Sequence, residues 1–420
     1  MKKNIWILNH YAGSMYWAKG GRHYYLAKYL IQNGYKPIIF ASNIKHGTGE
    51  RYFEYEGLFH IEKDKESGIT FVFVKSCSYK DNGNKRILNM IDFYRNIKRT
   101  SNAIIPTLRN PDIIYASSVH PLTLVAGIQI AKKNHIKCIS EVRDLWPESI
   151  VVYSKKFRPK GFIIKGLYYG EKWIYKKSDA LIYTMAGGRQ YIINKGWDTE
   201  QGGPVKLEKV YHINNGVDLE KFDKNIKDYF YEDPELDDRG IIKIVYTGSI
   251  RRVNNLGIIL NAAKSFLHKN VRFLIWGTGD ELERLKERVI EEGITCVKFK
   301  GVVEKKYIPS ILSRADINLV HWETSSILKY GVSYNKLFEY LAAGKPIFST
   351  VAPGYSLIKK YKCGIEAKND SEKEITRSLN HLIDLDQDKK IELGKNARRA
   401  SEDFDFKALT KSLINIIEDL

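Results

Sequence analysis

Residues 331–346 read Gly-Val-Ser-Tyr-Asn-Lys-Leu-Phe-Glu-Tyr-Leu-Ala-Ala-Gly-Lys-Pro. Ser333 is an N-cap residue type, Leu337, Phe338, Leu341 and Ala342 make an apolar stripe, and Gly344 and Pro346 stop the pattern. The stretch is therefore expected to be a helix opened by Ser333. Lys336 and Glu339 fall three residues apart on one face of its first turns, where unpaired backbone N–H groups and the positive end of the helix dipole favour an anion. A solvated ion pair on a surface helix has the same spacing. The surrounding chain decides between the two.

Upstream of this helix the sequence alternates strand and helix patterns. Residues 241–246 read as a strand ending in the loop Thr247-Gly248-Ser249-Ile250-Arg251-Arg252, followed by a helix over 255–266. A strand at 271–276 leads into Gly277-Thr278-Gly279 and a helix opened by Asp280 and closed by Gly293. Strand runs at 295–299, 316–320 and 346–350 complete a parallel sheet, with the opening helix between the last two. Ligands of such sheets bind beyond the carboxyl ends of the strands, which moves Lys336 and Glu339 from a surface pair to a candidate anion site.

The first half repeats the pattern. Residues 4–9 form a strand, a loop holds Gly13, Gly20 and Gly21, and a helix carrying Tyr25, Leu26, Tyr29 and Leu30 stops at Gly34. The glycines do not spell G-x-G-x-x-G, so they point to close backbone approach to a phosphate or sugar, or to a flexible loop, rather than to a dinucleotide site. Strand runs follow at 37–41, 69–74, 112–116, 136–141 and 179–184, with residues 43–67 expected as a long polar loop. The break at Gln201-Gly202-Gly203-Pro204 is taken as the domain boundary, giving domains 1–204 and 205–399, and the acidic segment 228–238 as a surface loop. The fold class is α/β, two doubly wound domains with a cleft between them.

Two strand ends in the first domain carry chemistry. His120 follows the run at 112–116 in a loop entering a helix. Glu141-Val-Arg143-Asp144-Leu-Trp146-Pro-Glu148-Ser149 follows the run at 136–140 and concentrates three carboxylates, an arginine and a tryptophan. That density marks a site more readily than a core, although Trp146 would equally cover an apolar edge and His120 would equally serve as a loop residue bonded to backbone.

The chain of 420 residues carries a formal charge of +19, unevenly spread. Residues 1–200 hold 32 Lys+Arg against 16 Asp+Glu, or +16, and residues 201–420 hold 36 against 33, or +3. A basic first domain suits an anionic partner such as a membrane surface or a phosphorylated lipid. Lys155, Lys156, Arg158 and Lys160, with the amphipathic pattern over 162–177, form a basic and aromatic element of that kind, or simply a core-facing helix with a solvated basic face. No nucleic-acid-binding motif is present, so nucleic acid is not expected as a partner. Cys77, Cys138, Cys296 and Cys363 form no C-x-x-C pair and read as reduced thiols. Met1-Lys2-Lys3 precedes too short an apolar run for a leader, and no stretch reaches the roughly 18 apolar residues of a membrane span. A cytoplasmic protein, peripheral at the inner face of the membrane, is expected.

In this order and at these distances the motifs resemble the retaining glycosyltransferases of family 4, which have the two-Rossmann GT-B fold. The resemblance covers nearly the whole chain and rests on Gly20-Gly21, on the 141–149 run, and on Asn215-Gly216-Val217-Asp218 with Phe222. It rests equally on Thr247-Gly248-Ser249, Gly277-Thr278-Gly279, Phe299-Lys300-Gly301-Val302, and Asn335 through Pro346. The 142–149 and 335–346 runs look closest to the branch that builds bacterial capsule and O-antigen sugars, including enzymes similar to L-fucosamine transferases.

The resemblance implies a helix at about 400–420 returning to the first domain and a transfer from a nucleotide-diphosphate sugar, a UDP-sugar by expectation. The acceptor would be a polyprenyl-diphosphate-linked saccharide. Glu339 matches the second acid of the family's E-x7-E motif, which accepts from both ribose hydroxyls. Lys336 and the helix start at Asn335 would hold the diphosphate, with Arg252 and Lys336 easing departure of the leaving group. Gly20, Gly21, Gly248, Ser249, Arg251, Gly277 and Val302 would line the donor, and His120 would approach the transferred sugar. Glu141, Arg143, Asp144 and Trp146 would meet the acceptor. No metal or other cofactor is implied, since cationic groups take the place of a metal.

Two positions depart from the family pattern. Gly331 stands where the first acid of E-x7-E is expected. In the loop after residue 247, Ser249 takes the usual arginine position and Asn254 and Asn255 lie near the usual lysine position, leaving Arg251 and Arg252 as replacements. A nucleotide-sugar 2-epimerase of the same shape and a non-catalytic sugar-nucleotide-binding protein are the rival readings. Product analysis without an acceptor separates the first, and nucleotide binding without turnover the second.

Overall fold

The computed structural model describes residues 2–80, 83–118, 120–153, 161–322 and 324–420. The basic run at Lys155, Lys156, Arg158 and Lys160 lies outside the described residues. The chain forms two compact units, Met1–Asn214 with Phe406–Leu420, and Asn215–Asp405.

The first unit is built on eight strands: β1 (Asn4–Leu8), β2 (Lys36–Ser42), β3 (Phe59–Lys63), β4 (Thr70–Val74), β5 (Ile113–Ser117), β6 (Lys137–Val142), β7 (Ala180–Tyr183) and β8 (Val210–His212). Their order is β3-β4-β2-β1-β5-β6-β7-β8. Strands β1, β5 and β7 are apolar along nearly their whole length because helices cover both faces, and Ile5, Trp6, Ile7 and Leu8 are all buried. Every pair is parallel except β3–β4, which runs antiparallel from Phe59 opposite Val74 to Lys63 opposite Thr70. The long loop expected over 43–67 therefore contains an edge strand. Its His60, Glu62 and Lys63 hid the alternation, and an edge position tolerates them. Strand β8 carries the first sheet past the Gly-Gly-Pro break, so the units divide at Asn214, not at residue 204.

The second sheet has six parallel strands, β9 (Ile242–Thr247), β10 (Val271–Trp276), β11 (Val297–Gly301), β12 (Ile317–Val320), β13 (Ile347–Ser349) and β14 (Gly364–Glu366), ordered β11-β10-β9-β12-β13-β14. Three-residue β14 was too short to stand out in the sequence. The acidic segment 228–238 is not a plain loop. Asp233 accepts from the N–H groups of Glu235 and Leu236 at 3.0 and 3.1 Å and starts a helical turn, Pro234–Asp237, that buries Leu236. Lys300 reaches Asp233 and Glu235 at 2.8 and 2.5 Å and balances the charge.

Three helix expectations shift. The 255–266 helix is interrupted by Asn255 at φ 44°, and its α-helical part is Gly257–Ala263. Asp280 does not cap the next helix, Leu282–Glu291, but accepts from the N–H of Arg252 at 3.2 Å. The helix placed at 400–420 is two helices, Gln387–Asp403 in the second unit and Phe406–Glu418 in the first. The latter packs on the helix Arg22–Gln32 and buries Phe406, Leu409, Leu413, Ile416 and Ile417 in the first unit's core.

Candidate active site

In the second unit the carboxyl ends of β9, β10 and β11 are drawn together backbone against backbone. The N–H of Gly248 donates to Trp276 O at 3.0 Å, that of Ile250 to Thr278 O at 2.8 Å, and that of Gly277 to Gly301 O at 2.8 Å. A Cβ on Gly277 would lie 1.8 Å from Gly248 O, and one on Gly279 2.1 Å from Ile250 O, so no side chain fits at either place. A Cβ on Gly248 would sit 2.7 Å from the Lys336 ammonium, which is how close that lysine comes to the β9 loop.

Lys336 stands in the first turn of the helix Asn335–Ala342, which no side chain caps. Ser333 does not serve as the expected N-cap, since its Oγ accepts from the Asn215 N–H at 2.9 Å. Nor does Lys336 turn toward Glu339. Its Nζ donates to the Tyr246 hydroxyl at 2.7 Å and lies 4.2 Å from the centre of that ring. Tyr246 in turn donates to Ser249 O at 3.0 Å, and the Tyr340 hydroxyl accepts from the Thr247 N–H at 2.9 Å, so two tyrosines brace the end of β9. Partly accessible but closely walled by protein atoms, Lys336 has its pKa lowered to about 8 by burial, with Glu339 offsetting part of that shift. Glu339 is one turn further on, 3.7 Å from the exposed ammonium of Lys305.

His321, at the end of β12, joins this group. Its Nδ1 is 2.7 Å from Thr350 Oγ1 and its Nε2 is buried without a partner. Burial, then the charge of Lys336, lowers its pKa to about 4, so it is neutral beside the lysine. Ser249, Arg251, Arg252 and Asn335 are exposed, and Val302 is 73% exposed. Asn254 orders the arginine loop by accepting from Ser249 Oγ at 2.8 Å and from the Arg251 N–H at 3.3 Å. Gly331 has φ 91° and ψ 175°, a backbone conformation essentially restricted to glycine. The missing carboxylate at that position thus has a local cause.

In the first unit, His120 flanks the helix Pro121–Lys133 just beyond β5, and His10 lies just beyond the adjacent β1. His10 Nδ1 and His120 Nε2 are 2.5 Å apart, and His10 stacks on Phe93 with ring centres 4.3 Å apart. Arg86 is close by, its Nε donating to the Tyr11 hydroxyl at 3.1 Å. Burial, with His120 beside it, holds His10 well below its usual pKa, and burial with Arg86 lowers His120 to about 3. Both rings should therefore be neutral throughout the working range. In NMR the ring signals of His120 are expected to stay constant from about pH 5 to 9, and a midpoint near 6.5 would contradict this environment.

The 141–149 run divides between two roles. Glu141 is fully buried, so it presents no carboxylate to an acceptor: Arg22 Nε donates to it at 2.5 Å and His23 Nε2 at 3.0 Å. His23 Nδ1 then accepts from Asn9 Nδ2 at 2.8 Å, while Arg22 also donates to Asn214 O and Ile213 O at 2.5 and 3.0 Å. The network ties β1, β6, the first long helix and the end of β8 together. Arg143 is half-buried, its N–H bonded to Ser118 Oγ at 3.0 Å, whereas Asp144 is exposed and Trp146 lines an apolar cavity. Gly20 and Gly21 precede the Arg22–Gln32 helix after a short helix, Gly13–Ala18, and Gly21 takes φ 106°.

His10, Arg22, Arg86, Tyr246 and His321 were missed by sequence reasoning. A polar residue directly after a strand was the available signal for His10 and His321; nothing local marked the others. Among the described residues no group of three ligand-type side chains converges to hold a metal ion, and no helix is long and apolar enough to cross a membrane.

Comparison with known proteins matches the model for Glycosyltransferase Family 4 over residues 22–221 and that for Glycosyl transferases group 1 over residues 242–385. An uncharacterised glycosyltransferase of Methanocaldococcus jannaschii is 26% identical over 260 residues, 59% of this chain and 60% of that relative. Sucrose-phosphate synthase from Thermosynechococcus elongatus has a TM-score of 0.71 at 14% identity, with 100% of this chain and 99% of that one covered. Anabaena HepE in complex with UDP and glucose has a TM-score of 0.65 at 15% identity, with 100% of both chains covered. A trehalose-6-phosphate protein from Escherichia coli bound with UDP-2-fluoro glucose has a TM-score of 0.72 at 12% identity over 99% of both chains. At these identities the structural likenesses establish the shared fold, GT-B with two Rossmann-like domains.

Proposed function

The chain belongs to the group 1, family 4 glycosyltransferases, and on that premise we propose that it moves a sugar from a UDP-sugar to a hydroxyl of a lipid-linked saccharide with retention of configuration. The observation that carries this reading is the desolvated ammonium of Lys336 beside the glycine-built ends of β9 and β10. A diphosphate oxygen brought there adds to the counter-charge that Glu339 supplies only in part, and the uncapped helix start at Asn335 adds backbone donors.

Glu339 is assigned to the ribose hydroxyls, a charge-assisted contact of roughly 1.5–3 kcal/mol. As the bond from the sugar's anomeric carbon to the diphosphate breaks, negative charge grows on the leaving oxygen, and Lys336 with Arg252 and Arg251 is assigned to stabilise it. The acceptor oxygen bonds to the same face of that carbon, and its proton goes to the leaving phosphate. This scheme assigns no step to a metal. His120, neutral and beside His10, is assigned to the transferred sugar. Arg143, Asp144 and Trp146 are assigned to the acceptor side, with Glu141 as the buried residue that positions their strand end. An N-acetylated or deoxy hexose, a polyprenyl-diphosphate carrier, capsule or O-antigen synthesis and a place at the inner membrane surface complete the reading. The UDP complexes of HepE and of the Escherichia coli protein support the choice of nucleotide.

A thermal-shift screen of UDP-sugars tests it. A donor at about 100 times its Kd should stabilise the protein by roughly 2.7 kcal/mol, and Glu339→Ala should remove that shift. Equal shifts in both proteins would refute the assignment of the site.

A further inference from the structure

We propose that the apolar cavity between the helices Phe162–Lys177 and Pro121–Lys133 holds a segment of the hydrocarbon chain of the lipid-linked acceptor; this rests on the lipid-linked acceptor of the preceding reading. The cavity has a volume of about 180 Å³ and is walled by Leu122, Val125, Trp146, Leu167, Trp173 and Ile174 among others. An apolar cavity of about 150 Å³ takes a benzene-sized molecule. The space suits one isoprene-sized unit of a chain.

Two glycines open it. Gly166 and Gly170 lie four residues apart on one face of the Phe162–Lys177 helix, and both line the cavity. Mid-helix glycine weakens a helix relative to alanine, and elsewhere in this chain such residues have a packing reason: a Cβ on Gly127 would lie 2.5 Å from Ala116 Cβ, and one on Gly394 2.4 Å from Gly344 O. Gly166 and Gly170 have neither a positive φ nor a neighbour: a Cβ on either would meet nothing within 4 Å. The chain itself does not need them small.

The same helix indicates what arrives. Phe162, Ile163 and Tyr169 are 93%, 67% and 75% exposed, and Lys165, Lys172, Lys176 and Lys177 accompany them. The helix's only carboxylate, Glu171, is turned inward. It accepts from the Tyr175 and Tyr191 hydroxyls at 2.7 and 2.9 Å, and burial raises its pKa to about 8. Outward, the helix shows apolar and aromatic side chains with lysines, the complement of an anionic lipid surface, beside a cavity whose walls are mostly apolar, with Asp144 and Glu171 also at its lining.

Farnesyl phosphate is the probe, titrated calorimetrically against the full chain. Wild type should bind it saturably, and G166L/G170L, whose side chains fill the cavity, should bind at least about tenfold more weakly. G166A/G170A should bind within about threefold of wild type and melt at a higher temperature. Val125→Phe, which narrows the cavity from the opposite wall, should weaken binding as the leucine pair does and serves if that pair fails to fold. The inference is overturned if farnesyl phosphate does not bind wild type, or binds the cavity-filled and wild-type proteins equally. A UDP-sugar thermal shift recorded on the same samples separates the two readings. If the shift persists while cavity filling has no effect, the cavity assignment alone fails; if wild type shows no shift, the transferase reading fails.

Discussion

Replacing Lys336 by methionine is expected to lower kcat/KM by about 10²–10³-fold, the usual loss on removing one electrostatic group aimed at a developing charge. The same change is expected to make the empty protein more stable. The lysine pKa of about 8 in the folded chain compares with about 10.4 in an unfolded one. Between those values the unfolded chain binds more protons, so wild-type stability rises with pH across that window. Below about pH 8 the full penalty of holding the ammonium in a desolvated site is present. Methionine removes that penalty, so its melting temperature should exceed that of wild type at pH 7, and the difference should close by about pH 10. In wild type kcat/KM should fall above about pH 8, while the fall in kcat should come later because bound diphosphate restores the proton affinity of the lysine. Differential scanning fluorimetry and pH–rate profiles check both halves; a methionine variant that keeps its activity would remove Lys336 from the chemistry.

Glu141→Ala is expected to destabilise the first unit by about 3–5 kcal/mol, because it leaves the Arg22 guanidinium buried without its counter-charge. Urea denaturation should show the loss in the transition of the first unit. The chain has two units and need not unfold in one step. The double variant R22M/E141L should recover much of it, since removing both charges avoids the unpaired one. Burial alone would raise the Glu141 pKa, but the Arg22 guanidinium, with His23, outweighs it and holds the carboxyl well below the usual range. The pair's contribution is therefore fully present above the unfolded carboxyl pKa of about 4.3 and is lost as pH falls through the lower folded value. Wild type should accordingly lose stability as pH falls below about 4, and the double variant, which lacks this carboxyl, should lose less.

Much of this molecule was legible because its strands are buried on both faces and read as apolar runs, and because the glycines and charges of interest lie at strand ends. The helix Asn335–Ala342, the Gly248 and Gly277 loops and the two α/β series all announced themselves locally. What stayed hidden depends on partners distant in the chain. Lys336 was read against Glu339, three residues away, but it turns to Tyr246, 90 residues earlier. Glu141 looked like part of an exposed polar cluster until Arg22, 119 residues away, was seen to face it. Ser333 had the grammar of a helix cap and instead receives the N–H of Asn215. Gly331 is the reverse case, an apparent gap in a motif that the backbone dihedral angles account for by themselves.

The helix Phe406–Glu418 has a consequence for how the protein is made. It completes the core of the first unit, and Lys3 Nζ bonds to Ile417 O at 2.5 Å. Residues 215–405 are translated between the two parts of that unit. At about 5–20 residues per second the ribosome takes roughly 10–40 s to lay down that insert. For that interval the nascent first unit has Leu26, Leu30 and their neighbours uncovered, while the second unit, continuous in sequence, is free to fold on emergence. The core of the first unit is thus expected to close only after the second unit has been synthesised.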